Sequence, residues 1–438
     1  MLYQERRCTR IFKNHKRSGP TTAFAIFFLL AVAVTSAVAQ TFTVLHNFSG
    51  PDGNLPWAGL TADRAGNLYG TTAFGGNHGC QQGSGCGTAF KLSHYGSEWV
   101  LSTIYVFQGE ADGGQPMARV LFGPDGSLYG TTEFFGNQSP DLGEGYGTVF
   151  KLTPPARPCE SVSCPWTHTV LYRFTGGSDG ANPGPGDLTF DQAGNIYGTT
   201  TEGGVASPSC FWGHAGCGVV FELTPSNDGW TEKVLYSFTG GNDGDTPNVG
   251  VVFDQHGNLY GTTDDEGKYL YGTVFQLTPN GPGWTESTIY AFEGLTDGAY
   301  PGGLTTDCAG NLYGITTSGD PSTNSGGTAF EMTPSGNGWT FNVLTQFTFP
   351  DGPWATPTLH NGNLYGPLFT GGAYGSGGVW EATPGSGGWT LETLYSFMAQ
   401  NDGGNPTGTV FVDASGSVYG TTISAGLYSD GVVFMITP

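Results

Sequence analysis

Glu133, Glu202 and the run Asp264-Asp265-Glu266 are the residues whose type and grouping most readily suggest chemistry in this sequence. With Asp141 and Glu144, they fall in three stretches that differ from one another while their surroundings repeat. Paired carboxylates can serve as acid and base, or acid and nucleophile, in cleaving a glycosidic bond. The same hard oxygens suit Ca2+, although no EF-hand or nonapeptide calcium spacing is present. Acidic side chains also populate solvated loops, where their interactions contribute little. No catalytic residue is assigned on this basis, and Ca2+ is the sole cofactor considered.

Aromatic side chains that break the regularity form a second group: Trp57, Phe211, Trp212, Tyr300 and Trp354, accompanied by Phe74, Phe134, Phe135, Tyr269 and Tyr374. Set among Asn and Asp, they offer the flat apolar faces and hydrogen-bonding groups that match sugars. The alternative is that they fold back onto their own loops. The histidines past the first forty residues are scattered, and nucleophilic triads find no support. No phosphate-binding or dinucleotide fingerprint occurs.

Cysteines come in close pairs: Cys80 with Cys86, Cys159 with Cys164 and Cys210 with Cys217, leaving Cys308 alone. Each pair lies within one predicted loop, which favours local disulfides and an oxidising compartment. The spacings fall outside the usual zinc-finger range and lack regular His partners.

The first 39 residues read as a signal peptide. Arg6, Arg7, Arg10, Lys13, Lys16 and Arg17 precede an apolar run from Ala23 to Val34, and Ala37-Val38-Ala39 offers a small-x-small cleavage pattern. Cleavage after Ala39 leaves residues 40–438 as the mature chain, in which no second apolar span appears. The whole chain carries a formal charge of −22; the leader holds six of its 14 Lys and Arg but one of its 36 Asp and Glu, so the mature chain is more acidic still. Such a surface disfavours nucleic acid and anionic lipid as partners.

What must position these groups is a repeat. Asn67-Leu68-Tyr69-Gly70-Thr71-Thr72 recurs around Gly130, Gly198, Gly261, Gly314, Gly366 and Gly420, giving seven units. Within one unit, Val249–Phe253, Leu259–Thr263, Thr273–Leu277 and Ser287–Phe292 read as four strands, with a tight turn at Asp254–Asn258. Seven four-stranded antiparallel units predict an all-β, seven-bladed β-propeller. Gly inside the second strand fits crowding near the axis.

The mature chain opens on a lone fourth-type strand, Thr43–Phe48, and stops after a third-type strand, Val432–Pro438. Pairing these two strands predicts a ring closed by one N-terminal and three C-terminal strands, with no free edge. The recurrent Asp-Gly pairs (Asp52, Asp112, Asp179, Asp243, Asp297, Asp351 and Asp402) read as turn caps. Trp99, Trp166, Trp230, Trp284, Trp339 and Trp389, with Phe42 in the seventh unit, read as packing residues.

The motif Gly-Asn-Leu-Tyr-Gly-Thr-Thr, Gly-Thr-Val-Phe-x-Leu-Thr-Pro, Val-Leu-Tyr-Ser-Phe and Asp-Gly-x-x-Pro runs through the mature chain. In it the sequence resembles the GloVer tandem-repeat ("choice-of-anchor") family of bacterial surface and secreted proteins. The resemblance implies export and a β repeat architecture, and carries over no activity, cofactor or catalytic residue. Sorting tails borne by family members are not matched here, since Pro438 directly follows a strand, so release is expected over anchoring.

Together these readings lead to the expectation of a secreted or cell-surface, monomeric, non-catalytic propeller. It would bind carbohydrate, envelope polymer or protein through the face carrying the variable loops. The competing expectation is a polysaccharide hydrolase or lyase using the carboxylates of that face. Convergence of Glu133, Glu202 and Asp264 on the channel mouth would favour the enzyme.

Overall fold

A computed structural model describes residues 40–76, 80, 83–96, 98–136, 145–156, 166–210, 216–227, 229–319, 325–336 and 338–438. The leader, Cys159, Cys164, Phe211, Trp212, Asp141 and Glu144 lie outside them.

Seven antiparallel sheets follow one another around a ring, making a seven-bladed β-propeller. The fourth blade is typical: Val252–Phe253, Leu259–Thr263, Thr273–Asn280 and Gly283–Ala291 pair in chain order from the axis outward. The seventh blade takes its inner three strands, Phe411–Val412, Val418–Thr422 and Val432–Thr437, from the end of the chain. Its outer strand is Thr41–Asn47, paired from Thr41↔Thr437 to Asn47↔Val432. The ring is closed as the chain ends predicted. Among the described residues no helix is long and apolar enough to cross a membrane.

Local chemistry explains each blade. In the turn after the first strand, Asp254 Oδ1 accepts from the amides of His256 and Asn258, at 2.7 and 2.9 Å, and its Oδ2 accepts from the Asn258 side chain and the Tyr260 hydroxyl. Asp63, Asp191 and Asp307 repeat the pattern. A carboxylate that caps its own turn fixes hairpin register without tertiary help.

The second strand is buried throughout, and its glycine has a reason other than the axis. Gly261 stands opposite Phe275, and a Cβ there would lie 2.5 Å from the ring's Cζ. Crowding by the cross-strand Phe of the same blade, not by the channel, excludes a side chain. Beside it, buried Thr263 and Thr273 share a hydroxyl hydrogen bond of 2.8 Å, repeated at Thr72/Thr88, Thr132/Thr148 and Thr316/Thr328.

Six of the seven Asp-Gly residues cap turns, as expected, whereas Asp351 accepts from the Gly372 amide at 2.7 Å. Asp243 accepts from the Thr239 amide and from the Tyr236 hydroxyl, seven residues upstream. The tyrosine–aspartate pair recurs at Tyr105/Asp112, Tyr172/Asp179, Tyr290/Asp297 and Tyr395/Asp402. Tryptophans join blades: Trp166 and Trp339 sit against Tyr69 and Tyr260 of the preceding blade, with ring centroids 5.8 and 5.4 Å apart.

Phe42 does not take the seventh tryptophan position. It pairs with Ile436, as Phe341 pairs with Met332 and His168 with Leu152, two residues past the tryptophan register. The spacing already carries this difference: the six tryptophans each stand eight residues before the recurrent Phe of their unit, whereas Phe42 stands six before Phe48, as Phe341 does before Phe347.

Candidate functional site at the channel mouth

The loops joining second to third strands and those entering each first strand emerge at the same end of the ring. The channel opens there as a cavity of about 60 Å3 whose lining includes Trp57, Trp354, Asp264, Asn248, Arg119 and Asp187. Towards the opposite end lies a chamber of about 680 Å3, bounded among others by Thr189, Thr305, Asp307 and His360. Arg119, Asp187, Thr356 and Thr409 border both spaces and mark the waist between them.

The waist is a ring of equivalent positions, one per blade: Gly59, Arg119, Asp187, Gly250, Gly303, Thr356 and Thr409. Backbones approach closely there. A Cβ on Gly250 would fall 2.0 Å from the Asp187 carbonyl, and one on Gly59 would fall 2.3 Å from that of Thr409. Blades two and three instead carry opposite charges, and Arg119 Nε donates to Asp187 Oδ2 at 3.0 Å, with Nη2 bonding the same oxygen. Sequence reasoning missed this pair, although the signal was legible: two adjacent units replace Gly or Thr with Arg and Asp.

Asp264 follows the second strand of blade four, its amide donating to Thr246 O at 3.1 Å. Burial, reinforced by neighbouring Asp265, pushes its carboxyl up to about 7. Tyr300 stands beside this cluster: burial and then Asp265, Tyr271 and Asp264 raise its phenol, and its ring meets Tyr271 edge-on at 6.2 Å. Its backbone is left-handed (φ 57°), and its amide N–H donates to the Tyr271 carbonyl at 3.1 Å. Trp354 tilts against Phe369 at 5.5 Å, and the Trp57 carbonyl accepts from the Thr407 hydroxyl at 2.8 Å.

The other acidic candidates gather elsewhere. Burial, with the Glu202 charge adding to it, raises Glu133 to about 7, placing these two at the seam of blades two and three. Asp265 and Glu266 are both raised by burial and by Asp245, which is fully buried and accepts from the Thr246 hydroxyl at 3.1 Å. Of the acidic candidates among the described residues, only Asp264 lines the mouth. Glu133, Glu202 and Asp264 therefore do not converge on it together.

Cys80–Cys86 and Cys210–Cys217 are disulfides as expected, each with Cα atoms 5.0 Å apart. The third expected bond, between Cys159 and Cys164, is not among those described, because Cys164 and Cys159 both lie outside the described residues. Cys308 departs from expectation: read from the sequence as standing alone, it is disulfide-bonded, and no described cysteine is free. Cys210, Cys217 and Asp245 come within 4.8 Å of one another, but the bonded sulfurs offer no thiolate to a metal.

Around the mouth face, loops of blades four to seven expose Leu270, Leu295, Phe349, Tyr374 and Tyr428, each more than half accessible. Of these the sequence singled out only Tyr374.

The family described as the Gloeobacter/Verrucomicrobia repeat matches this chain over residues 31–212, 167–348 and 320–438. No curated protein sequence matches. Among solved structures, an ulvan-type polysaccharide lyase bound to a glucuronyl–sulforhamnosyl saccharide is similar at 13% identity, over 90% of this chain and 95% of that one, with a TM-score of 0.51. A fungal alcohol oxidase in complex with copper is similar at 13% identity, over 89% of this chain and 75% of that one, with a TM-score of 0.50. At such identities the likeness is one of fold.

Proposed function

This chain belongs to the Gloeobacter/Verrucomicrobia repeat family, and on that premise we propose that it is a secreted, monomeric, non-catalytic propeller that binds a carbohydrate or envelope polymer across the mouth face. The observation that carries this reading is the pair Trp57 and Trp354, lining a mouth that also holds Asp264, Asn248 and the Arg119–Asp187 pair. Indole faces stack on the apolar side of sugar rings while carboxylates and amides engage hydroxyls. A mouth of about 60 Å3 is far smaller than pockets that enclose a ligand, roughly 300–1,000 Å3. A polymer would lie over it, reaching the exposed side chains of blades four to seven.

Affinity electrophoresis in gels cast with neutral and acidic polysaccharides tests this. Retardation is expected for at least one polymer, with roughly tenfold weaker binding for Trp57→Ala or Trp354→Ala. Unretarded migration in every gel, or retardation untouched by both variants, contradicts the reading.

One observation favours a second reading, a polysaccharide hydrolase or lyase: Asp264 is held near pH 7 beside Tyr300, as a proton donor would be. Release of reducing or unsaturated ends from the retarding polymer, lost in Asp264→Asn, would select it over simple binding.

A further inference from the structure

The seam between blades two and three holds two buried oxygens with no hydrogen-bond partner among the described residues, Glu133 Oε2 and Asn182 Oδ1. With Glu133 ionised and the Asn182 carboxamide in this orientation both are acceptors, and neither can satisfy the other. Buried acceptors left without a donor are costly, and such atoms call for an explanation.

The backbone brings them together. Asn182 opens blade three, yet its amide donates to Tyr146 O of blade two at 2.9 Å. The next residue, Pro183, meets the blade-two segment of Glu133: a Cβ on Gly147 would lie 2.6 Å from Pro183 Cδ and 2.7 Å from Glu133 O. Between blades six and seven the same two positions are Asn405 and Phe369, and there the Asn405 side chain reaches across to the Phe369 carbonyl at 3.0 Å. The side chain at position 182 thus has the placement to face position 133. Between blades four and five these positions hold Asp264 and Tyr300, a carboxyl and a phenol, and the charge of the first is, after burial, among the causes that raise the second. The second seam is different: these positions hold Glu133 and Asn182, each with a buried oxygen that lacks a partner among the described residues.

Glu202 adds a second negative charge, its carboxylate raising Glu133 and its backbone locked to Ala181 by hydrogen bonds of 2.8 and 3.1 Å. Gln115, 2% exposed and with a carboxamide nitrogen that has no partner among the described residues, accepts the Glu133 amide on its backbone carbonyl at 3.1 Å. Rotating that carboxamide by a half-turn exchanges nitrogen for oxygen.

We propose that Glu133, Asn182 and Glu202 form a divalent-cation site of calcium type at this seam. Two carboxylates and an amide oxygen are hard ligands, and water can complete the six to eight oxygens that Ca2+ takes. A cation would satisfy both orphaned acceptors, relieve the repulsion between the two glutamates and tie blade two to blade three on the mouth face. The site is independent of whether any polymer binds there.

Melting of the EDTA-treated full chain, titrated with calcium and with magnesium, tests the site. Calcium is expected to raise the melting temperature saturably below about 10 mM, with weaker response to magnesium. Because Glu133 must lose its proton to ligate, the calcium response should strengthen from pH 6 to pH 8. Glu133→Gln and Asn182→Ala should each abolish the response, while Asp430→Asn, which removes one charge from blade seven, should keep it. Terbium luminescence of the unsubstituted chain, competed by calcium, reads occupancy without relying on the variants. An unchanged melt together with no competed luminescence overturns the proposal, as does a calcium response that survives both seam substitutions.

Discussion

The ring of Phe42 stacks on that of Tyr395 with centroids 3.9 Å apart and planes within 8°. One residue lies near the start of the described chain and the other in blade six, so the contact packs the N-terminal strand of blade seven against the blade before it. Tyr290/Phe341 and Tyr105/His168 repeat the stack at two other seams, at 4.0 and 4.4 Å.

Closure by the first strand should therefore dominate stability. Phe42→Ala removes a partly buried ring and its stack, and should cost about 2–3 kcal/mol in denaturant unfolding. Removing residues 1–48 leaves the Val432–Thr437 edge unpaired. That truncation should abolish the single cooperative transition expected of the longer chain. A cooperative melt that survives it would show that closure is dispensable.

At the position of that stack, blades three and four carry Glu232 and Glu286, in register with Leu223 and Leu277. Burial, then the Asp179 charge, raises Glu232 to about 7. Burial also raises Glu286 to about 7, with the Thr288 hydroxyl opposing and Asp243 adding. Carboxyls whose native value lies above the ordinary 4.5 hold more protons folded than unfolded between those two values. Stability should fall as pH rises from about 4.5 to about 7 and stay low above it. Melting is expected to be higher at pH 5 than at pH 8. Glu232→Leu, matching Leu101 and Leu391 in other blades, should raise the pH 8 value more than the pH 5 value. Equal gains at both would show that desolvation of the charge is not the cause.

The Arg119–Asp187 pair, with both side chains about a quarter exposed, should contribute modestly. Arg119→Ala and Asp187→Ala should each destabilise by about 1–2 kcal/mol, and the double substitution by less than their sum. A coupling near 1 kcal/mol is expected from the four unfolding curves. Strict additivity would mean that the two charges bridge the waist without interacting.

Much of the fold was legible because its causes are local. The Asp254 turn, the Gly261–Phe275 pairing and the short Cys80–Cys86 loop each need only neighbouring chain or one hairpin. Seven such units plus complementary terminal strands leave few arrangements other than a ring. The position of Phe42 was misread although the sequence marks it, since it precedes Phe48 by six residues where each tryptophan precedes its Phe by eight.

The site was less legible because it is made across seams. Arg119 and Asp187 are 68 residues apart, and no local rule says that they touch. Glu133 and Asp264 look alike in sequence, each following a Thr-Thr pair, yet one meets Glu202 and the other reaches the mouth beside Tyr300. By itself the sequence determined the unit, the number of units and how the circle closes, since periodicity and turn chemistry act over a few residues. Which variable side chains share a space was decided only in the tertiary structure, because the curvature of the closed ring sets what each blade presents to the next.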